Sequence, residues 1–165
     1  MKPAEVTTPS DTTVMVKRVF EAEARLVWRA YTEPAIFTRW CTSPPWSMPV
    51  CEMDVRPGGK YSWRWRNHEN GNEFGFVGEF REIEKHRKIV HTQVFDPGNT
   101  EFAMGDEGTL ITVTFDEQDD VTTVVTLITY SSKEDRDEAL STGMTEGMEM
   151  NYKQLDGILI DQDQR

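Results

Sequence analysis

Residues 54–66 read DVRPGGKYSWRWR. Pro57-Gly58-Gly59 is a turn signal, and beyond it an aromatic falls at every second position: Tyr61, Trp63 and Trp65. That is the period of a β-strand with one buried face. Further along, Asn70-Gly71 is a strong hairpin signal, because a type I′ turn needs positive φ at both central residues. With that pair as the loop, Trp65 is expected opposite Phe76, Trp63 opposite Gly78 and Tyr61 opposite Phe80, so that the large rings share one face. Lys60, Ser62, Arg64, Val77, Glu79 and Arg81 then share the other, with Arg64 and Glu79 in diagonal reach. An indole lying across a strand glycine restores cover the glycine lacks, which makes Trp63 and Gly78 one unit.

Outward from this hairpin, the chain from about 50 to 130 alternates strand-like runs with turn signals at 57–59, 70–71, 84–88, 96–99 and 117–120. Six strands in a meander are expected. Before them, TTVMVKRVF (12–20) reads as a first strand, apolar at Val14, Val16 and Phe20. A helix follows over 23–31 with Val27, Ala30 and Tyr31 on one stripe. Thr32 is placed to cap a second short helix through its hydroxyl, with Pro34 in the first turn and the end near Trp40. At SSKEDRDEAL (131–140) the period changes again; Ser131 with Glu134 forms a capping-box pattern opening one long helix to about Ile160. Its apolar stripe is Leu140, Met144, Met148, Tyr152, Leu155 and Leu159.

A meander with one solvated face needs its other face covered, and this terminal helix is the long amphipathic element able to cover it. The expected class is therefore α+β: a seven-stranded antiparallel sheet gripping a C-terminal helix. Residues 1–11 are expected as a flexible lead, 12–160 as one domain and 161–165 as a tail. Aromatic side chains on the sheet would face Met144 and Met148, together with Gly143 and Gly147, which are costly inside a helix. Methionine adapts to varied shapes, so a rigid aromatic floor under a pliable ceiling describes an internal cavity. Its expected walls are Trp40, Tyr61, Trp63, Trp65, Phe76, Phe80, His91, Met144, Met148 and Tyr152. Close packing with no ligand is the competing reading.

Composition excludes several classes. The 165 residues carry 18 Lys and Arg against 29 Asp and Glu, a net charge of -11, which opposes binding to nucleic acid or anionic lipid. No apolar run reaches membrane-spanning length, and the polar MKPAEVTTPSDTT start lacks a signal-peptide h-region, so a cytoplasmic location is expected. Cys41 and Cys51 match neither a zinc knuckle nor a Cys-x-x-Cys redox pair and read as free thiols. His68, His86 and His91 lack metal-ligand spacing, so no metal or other cofactor is expected. His68 and His86 fall in turns; His91 falls in a strand, where it can face the interior. No nucleophile elbow, phosphate loop or dinucleotide fingerprint occurs, and no catalytic residue is assigned.

Four segments, VFEAEARLVWRAYTEPAIFTRW (19–40), DVRPGGKYSWRWR (54–66), FVGEFREIEKHRKIVHT (76–92) and STGMTEGMEMNYKQL (141–155), together resemble the family named after the activator of Hsp90 ATPase, homologue 1-like. That family sits within the START-like superfamily. The resemblance implies a helix-grip, Bet v 1-like domain with a hydrophobic cavity between sheet and helix. It departs at Trp40-Cys41, where the family has Trp-Trp, and at Gly147-Met148, where it has Gly-Trp. The expected function is noncatalytic binding of a small hydrophobic or aromatic molecule in that cavity; the alternatives are an Hsp90-type co-chaperone or other protein-interaction module, which the family name suggests, and a cyclase- or dehydratase-like enzyme with His91 or Glu79 as base. The expected register points Glu79 outward. A monomer and a homodimer are both compatible with the sequence.

Overall fold

Alternating apolar residues set the frame of the protein. The computed structural model describes residues 2–96 and 108–163, with side chains as far as Asp161. Val14, Val16 and Phe20 lie on the buried face of β2 (Thr13–Phe20), and β8 (Val121–Thr129) answers with Thr122, Val124, Thr126 and Ile128 on the same face. Cross-strand pairing of these inward residues is what fixes the register. The remaining strands are β1 (Glu5–Thr7), β3 (Trp46–Met53), β4 (Lys60–Asn67), β5 (Glu73–Glu84), β6 (Lys88–Asp96) and β7 (Thr109–Gln118). All eight form one antiparallel sheet in the order β1-β2-β8-β7-β6-β5-β4-β3. The six-strand meander from β3 to β8 is as expected. The sheet has eight strands rather than seven because Glu5–Thr7, within the expected flexible lead, pairs with Met15–Lys17.

Helices α1 (Ala24–Thr32) and α2 (Pro34–Trp40) follow β2. Thr32 does not cap α2: its hydroxyl donates back to the Trp28 carbonyl at 2.8 Å, and Glu33 occupies the cap position with Pro34 next. The expected single C-terminal helix is two, α3 (Lys133–Ser141) and α4 (Met144–Asp163). Gly143 separates them at φ +82°, a conformation that interrupts helical hydrogen bonding and suits glycine alone. The α3 cap is Ser132, whose Oγ accepts from the Asp135 amide at 3.1 Å, one residue beyond the expected Ser131.

The central hairpin keeps its faces but slips by two residues. Trp63 pairs with Phe76, Trp65 with Phe74 and Tyr61 with Gly78. Asn67 and Asn70 account for the slip: Asn67 Oδ1 accepts from the Glu69 amide (2.8 Å) and Asn70 Oδ1 from Asn72 (2.9 Å), which stabilises a four-residue loop at 68–71. Tyr61, not Trp63, therefore covers the strand glycine. The outer-face pairs change too, with Arg64 bound to Asp96 and Glu79 beside Arg81 at 3.6 Å. The turn signals at 84–88 and 117–120 are used; of the one at 96–99, all but Asp96 lies outside the described residues.

Candidate functional site

The ten expected wall residues, six on the sheet and four on α2 and α4, fall into three ring clusters and a sulfur edge. The first is built by β4, β5 and β6. Tyr61 and Trp63 are 4.2 Å apart between ring centroids, Tyr61 and His91 5.1 Å, Trp63 and His91 5.9 Å, and Phe80 closes the group 5.5 Å from Tyr61. Phe37 of α2 stacks on Trp63 at 4.8 Å, so the indole is held between a helix and a strand. The second cluster lies towards the hairpin end, where Trp65 stacks on Phe74 at 5.3 Å and Phe76 stands edge-on to Trp65 at 6.0 Å. The Trp65 indole donates to the Cys41 carbonyl at 2.9 Å.

The third group is core. Trp40 donates through Nε1 to the Ala30 carbonyl at 2.8 Å and stacks on Tyr152 at 6.4 Å, which fastens α2 to α4. Burial pushes the Tyr152 phenol up to about 12. Met144 and Met148 are partly buried against the same core, and the Tyr130 hydroxyl donates to the Met144 sulfur at 3.3 Å. Gly147 does not belong to this ceiling: it is exposed, with open space where a Cβ would be.

Among the described residues, two buried polar side-chain atoms lack a partner, Trp63 Nε1 and Tyr31 Oη, the latter on the ring 5.0 Å from Trp40. The Tyr152 hydroxyl is near enough to Tyr31 to affect its titration, but not in hydrogen-bond geometry. Tyr61 is satisfied, its hydroxyl donating to the Thr92 carbonyl. His91 Nδ1 lies 3.1 Å from both Tyr61 Oη and Thr92 O. Burial holds the imidazole pKa at about 4, with the Thr92 carbonyl opposing the shift only in part, so His91 is neutral at pH 7.

Sequence reasoning passed over Arg18. It occupies an inward position of β2 between Val16 and Phe20, with its side chain 1% exposed, and its guanidinium bonds both Glu149 (3.2 Å) and Asp156 (2.7 Å) of α4. Burial works against its charge, but the hydrogen bonds it donates to Asp156 and Glu149, with their negative charge, outweigh it and raise the pKa. The signal was a basic residue in an even-numbered apolar run, answered by acids seven apart beside the helix stripe. Phe37 was also missed, since only the docking of α2 brings it to Trp63. Burial raises the pKa of both thiols, Cys51 to about 11 and Cys41 well above the ordinary thiol value with Cys51 nearby adding to it, which keeps them protonated. Glu79 points away from this face, as expected. Among the described residues no group of three His, Cys, Asp or Glu side chains is placed to hold a metal ion, and no helix is long and apolar enough to cross a membrane.

Solved structures with this architecture include a protein from Rhodobacter sphaeroides (24% identity, TM-score 0.87, 97% of this chain and 99% of that one). A protein from Mycobacterium smegmatis is 23% identical with a TM-score of 0.84 over 95% and 97% of the two chains. An AHSA1-like protein from Aeromonas hydrophila is 17% identical with a TM-score of 0.70 over 88% and 93%. At these identities the likeness is one of fold. No curated protein sequence matches the chain significantly. The profile of the activator of Hsp90 ATPase homolog 1-like proteins matches residues 21–159, and the chain belongs to that family.

Proposed function

We propose that the protein binds a small hydrophobic or aromatic molecule between the inner face of the sheet and α4, with no catalytic step assigned. The observation that carries this reading is an uneven seal. Tyr152, Leu155, Ile158 and Leu159 of α4 are buried, whereas Met144 and Met148 on the same stripe, and Trp63 and Phe76 of the sheet, are only partly so. Apolar surface of this kind gains about 25 cal/mol per Å² on being covered. Trp40 and Tyr152 then act as the closed end, and Tyr61, Phe80 and His91 as the floor. The location is cytoplasmic in this proposal, and the fold a single domain. Titrating the protein with naphthalene-type and fatty-acyl probes tests the reading: tryptophan emission should change and the melting temperature should rise together. A panel that produces neither removes the support.

The family description favours a second reading, an Hsp90-type chaperone as partner. It predicts that the protein retains an Hsp90 homologue from its own source and raises its ATPase rate; an unchanged rate counts against it. A catalytic role for His91 is less favoured, because a base with pKa about 4 provides little driving force at neutral pH.

A further inference from the structure

His91 is 6% exposed, and its two ring nitrogens are not equivalent. Nδ1 sits 3.1 Å from the Thr92 carbonyl, which also accepts the Tyr61 hydroxyl proton. A carbonyl oxygen can only accept, so Nδ1 must be the protonated nitrogen. Both of the imidazole's hydrogen-bond contacts are made by Nδ1, and Nε2, at the far end of the ring from the backbone, is left as a lone-pair acceptor. Its edge-to-face neighbour Trp63 carries the opposite deficit, an indole N–H buried with no acceptor. The interior thus presents one unused acceptor and one unused donor on adjacent rings.

Leaving the Trp63 N–H unsatisfied disfavours the closed state, since a buried unpaired polar group retains its desolvation cost. A hydroxyl oxygen answers both needs, since it donates one proton and accepts another through the same atom. Charge narrows the choice further. The buried cation on the inner face, Arg18, is already shared by two carboxylates, and His91 is neutral, so among the described residues neither offers a carboxylate or phosphate entering here a free positive partner.

Resting on the ligand-binding reading above, we infer that the ligand is a neutral apolar molecule bearing a hydroxyl group, a phenol or an alcohol. The hydroxyl donates to His91 Nε2 and accepts from Trp63 Nε1–H. Tyr61 and Thr92 are positioning residues: they hold the imidazole in the tautomer that makes Nε2 an acceptor.

The test uses a matched pair, 2-naphthol and 2-methylnaphthalene, titrated against the full chain by calorimetry. The wild-type protein should bind the naphthol about tenfold more tightly, the effect of a hydrogen bond made in a dry site. His91→Leu should bring the ratio to near unity while methylnaphthalene affinity persists, and Trp63→Phe should reduce the ratio in part. Nitrogen NMR of the wild-type imidazole needs no variant: Nε2 should show an unprotonated resonance that moves on adding naphthol and not on adding methylnaphthalene. Equal binding of both probes, or an Nε2 resonance indifferent to naphthol, overturns the hydroxyl inference and leaves the pocket standing. Failure of both probes to bind removes the pocket, and this inference with it.

Discussion

The consequences of single atoms are sharpest at two glycines and one histidine. A Cβ on Gly78 would lie 2.1 Å from the Thr92 carbonyl and 2.7 Å from the Tyr61 ring, and the backbone at the first contact has nowhere to go. Gly78→Ala should therefore destabilise by about 1–3 kcal/mol in urea unfolding, as overpacking does. Gly147 is the opposite case, with nothing near its absent Cβ inside a helix, and Gly147→Ala should stabilise by about 0.5–1 kcal/mol. Equal signs for the two would contradict this geometry. For His91, the folded pKa of about 4 lies below the ordinary 6.5. Between those values the unfolded chain binds the proton and the native state does not, so stability rises with pH across the window. About 3 kcal/mol should be lost on going from pH 7 to pH 4 through this residue, less any that structural relaxation recovers. Carboxylates titrate there as well, so the quantity to measure is the stability of wild type relative to His91→Phe, which should fall by that amount as pH drops from 7 to 4. A parallel pair of pH curves would mean that the ring is charged or hydrated in the native protein.

Among the elements, α4 is fixed at two kinds of contact. Its later turns bury Tyr152, Leu155, Ile158 and Leu159, and its middle is held by Arg18 bridging Glu149 and Asp156. The Phe20 ring lies 5.0 Å from the guanidinium, and the Ala4 amide donates to Glu149 at 2.8 Å, so the β1 lead meets the helix at the same place. Taking two carboxylates partly out of water is tolerable only while the fork is present. Arg18→Met should cost about 3–5 kcal/mol, the penalty of unpaired buried charge. Arg18→Lys should recover only part of that, because an ammonium cannot bond both carboxylates in the planar arrangement. The triple variant Arg18→Met, Glu149→Met, Asp156→Leu should regain most of the stability by replacing the network with apolar packing. Urea midpoints decide the point: if the single and triple variants are equally unstable, Arg18 contributes packing rather than charge.

At the scale of the whole molecule, what the sequence made legible was whatever repeats locally. The meander followed from turn residues and period-2 runs, and the ring face survived a register error because a slip of two preserves parity. What escaped was set by distant partners. Gly143 looks like a helix residue until its φ of +82° is seen, Arg18 looks solvated until α4 supplies its acids, and Trp63 stacks on Phe37 only because α2 folds back. Hence the shared face of the rings was foreseeable, whereas the Arg18 clamp and the Phe37 stack were not. This division of α4 into a sealed half and a half-open one has a dynamic consequence. Local opening is cheapest where few apolar contacts are lost, so the amides after Met144 and around Met148 should exchange with deuterium well before those from Tyr152 to Leu159. If a ligand occupies the space under Met144 and Met148, binding should slow exchange in that first half and at Trp63, with little change in the second. A helix that exchanges as one unit, before and after saturation with a probe, would show that the whole element opens together and that no separately mobile ceiling exists.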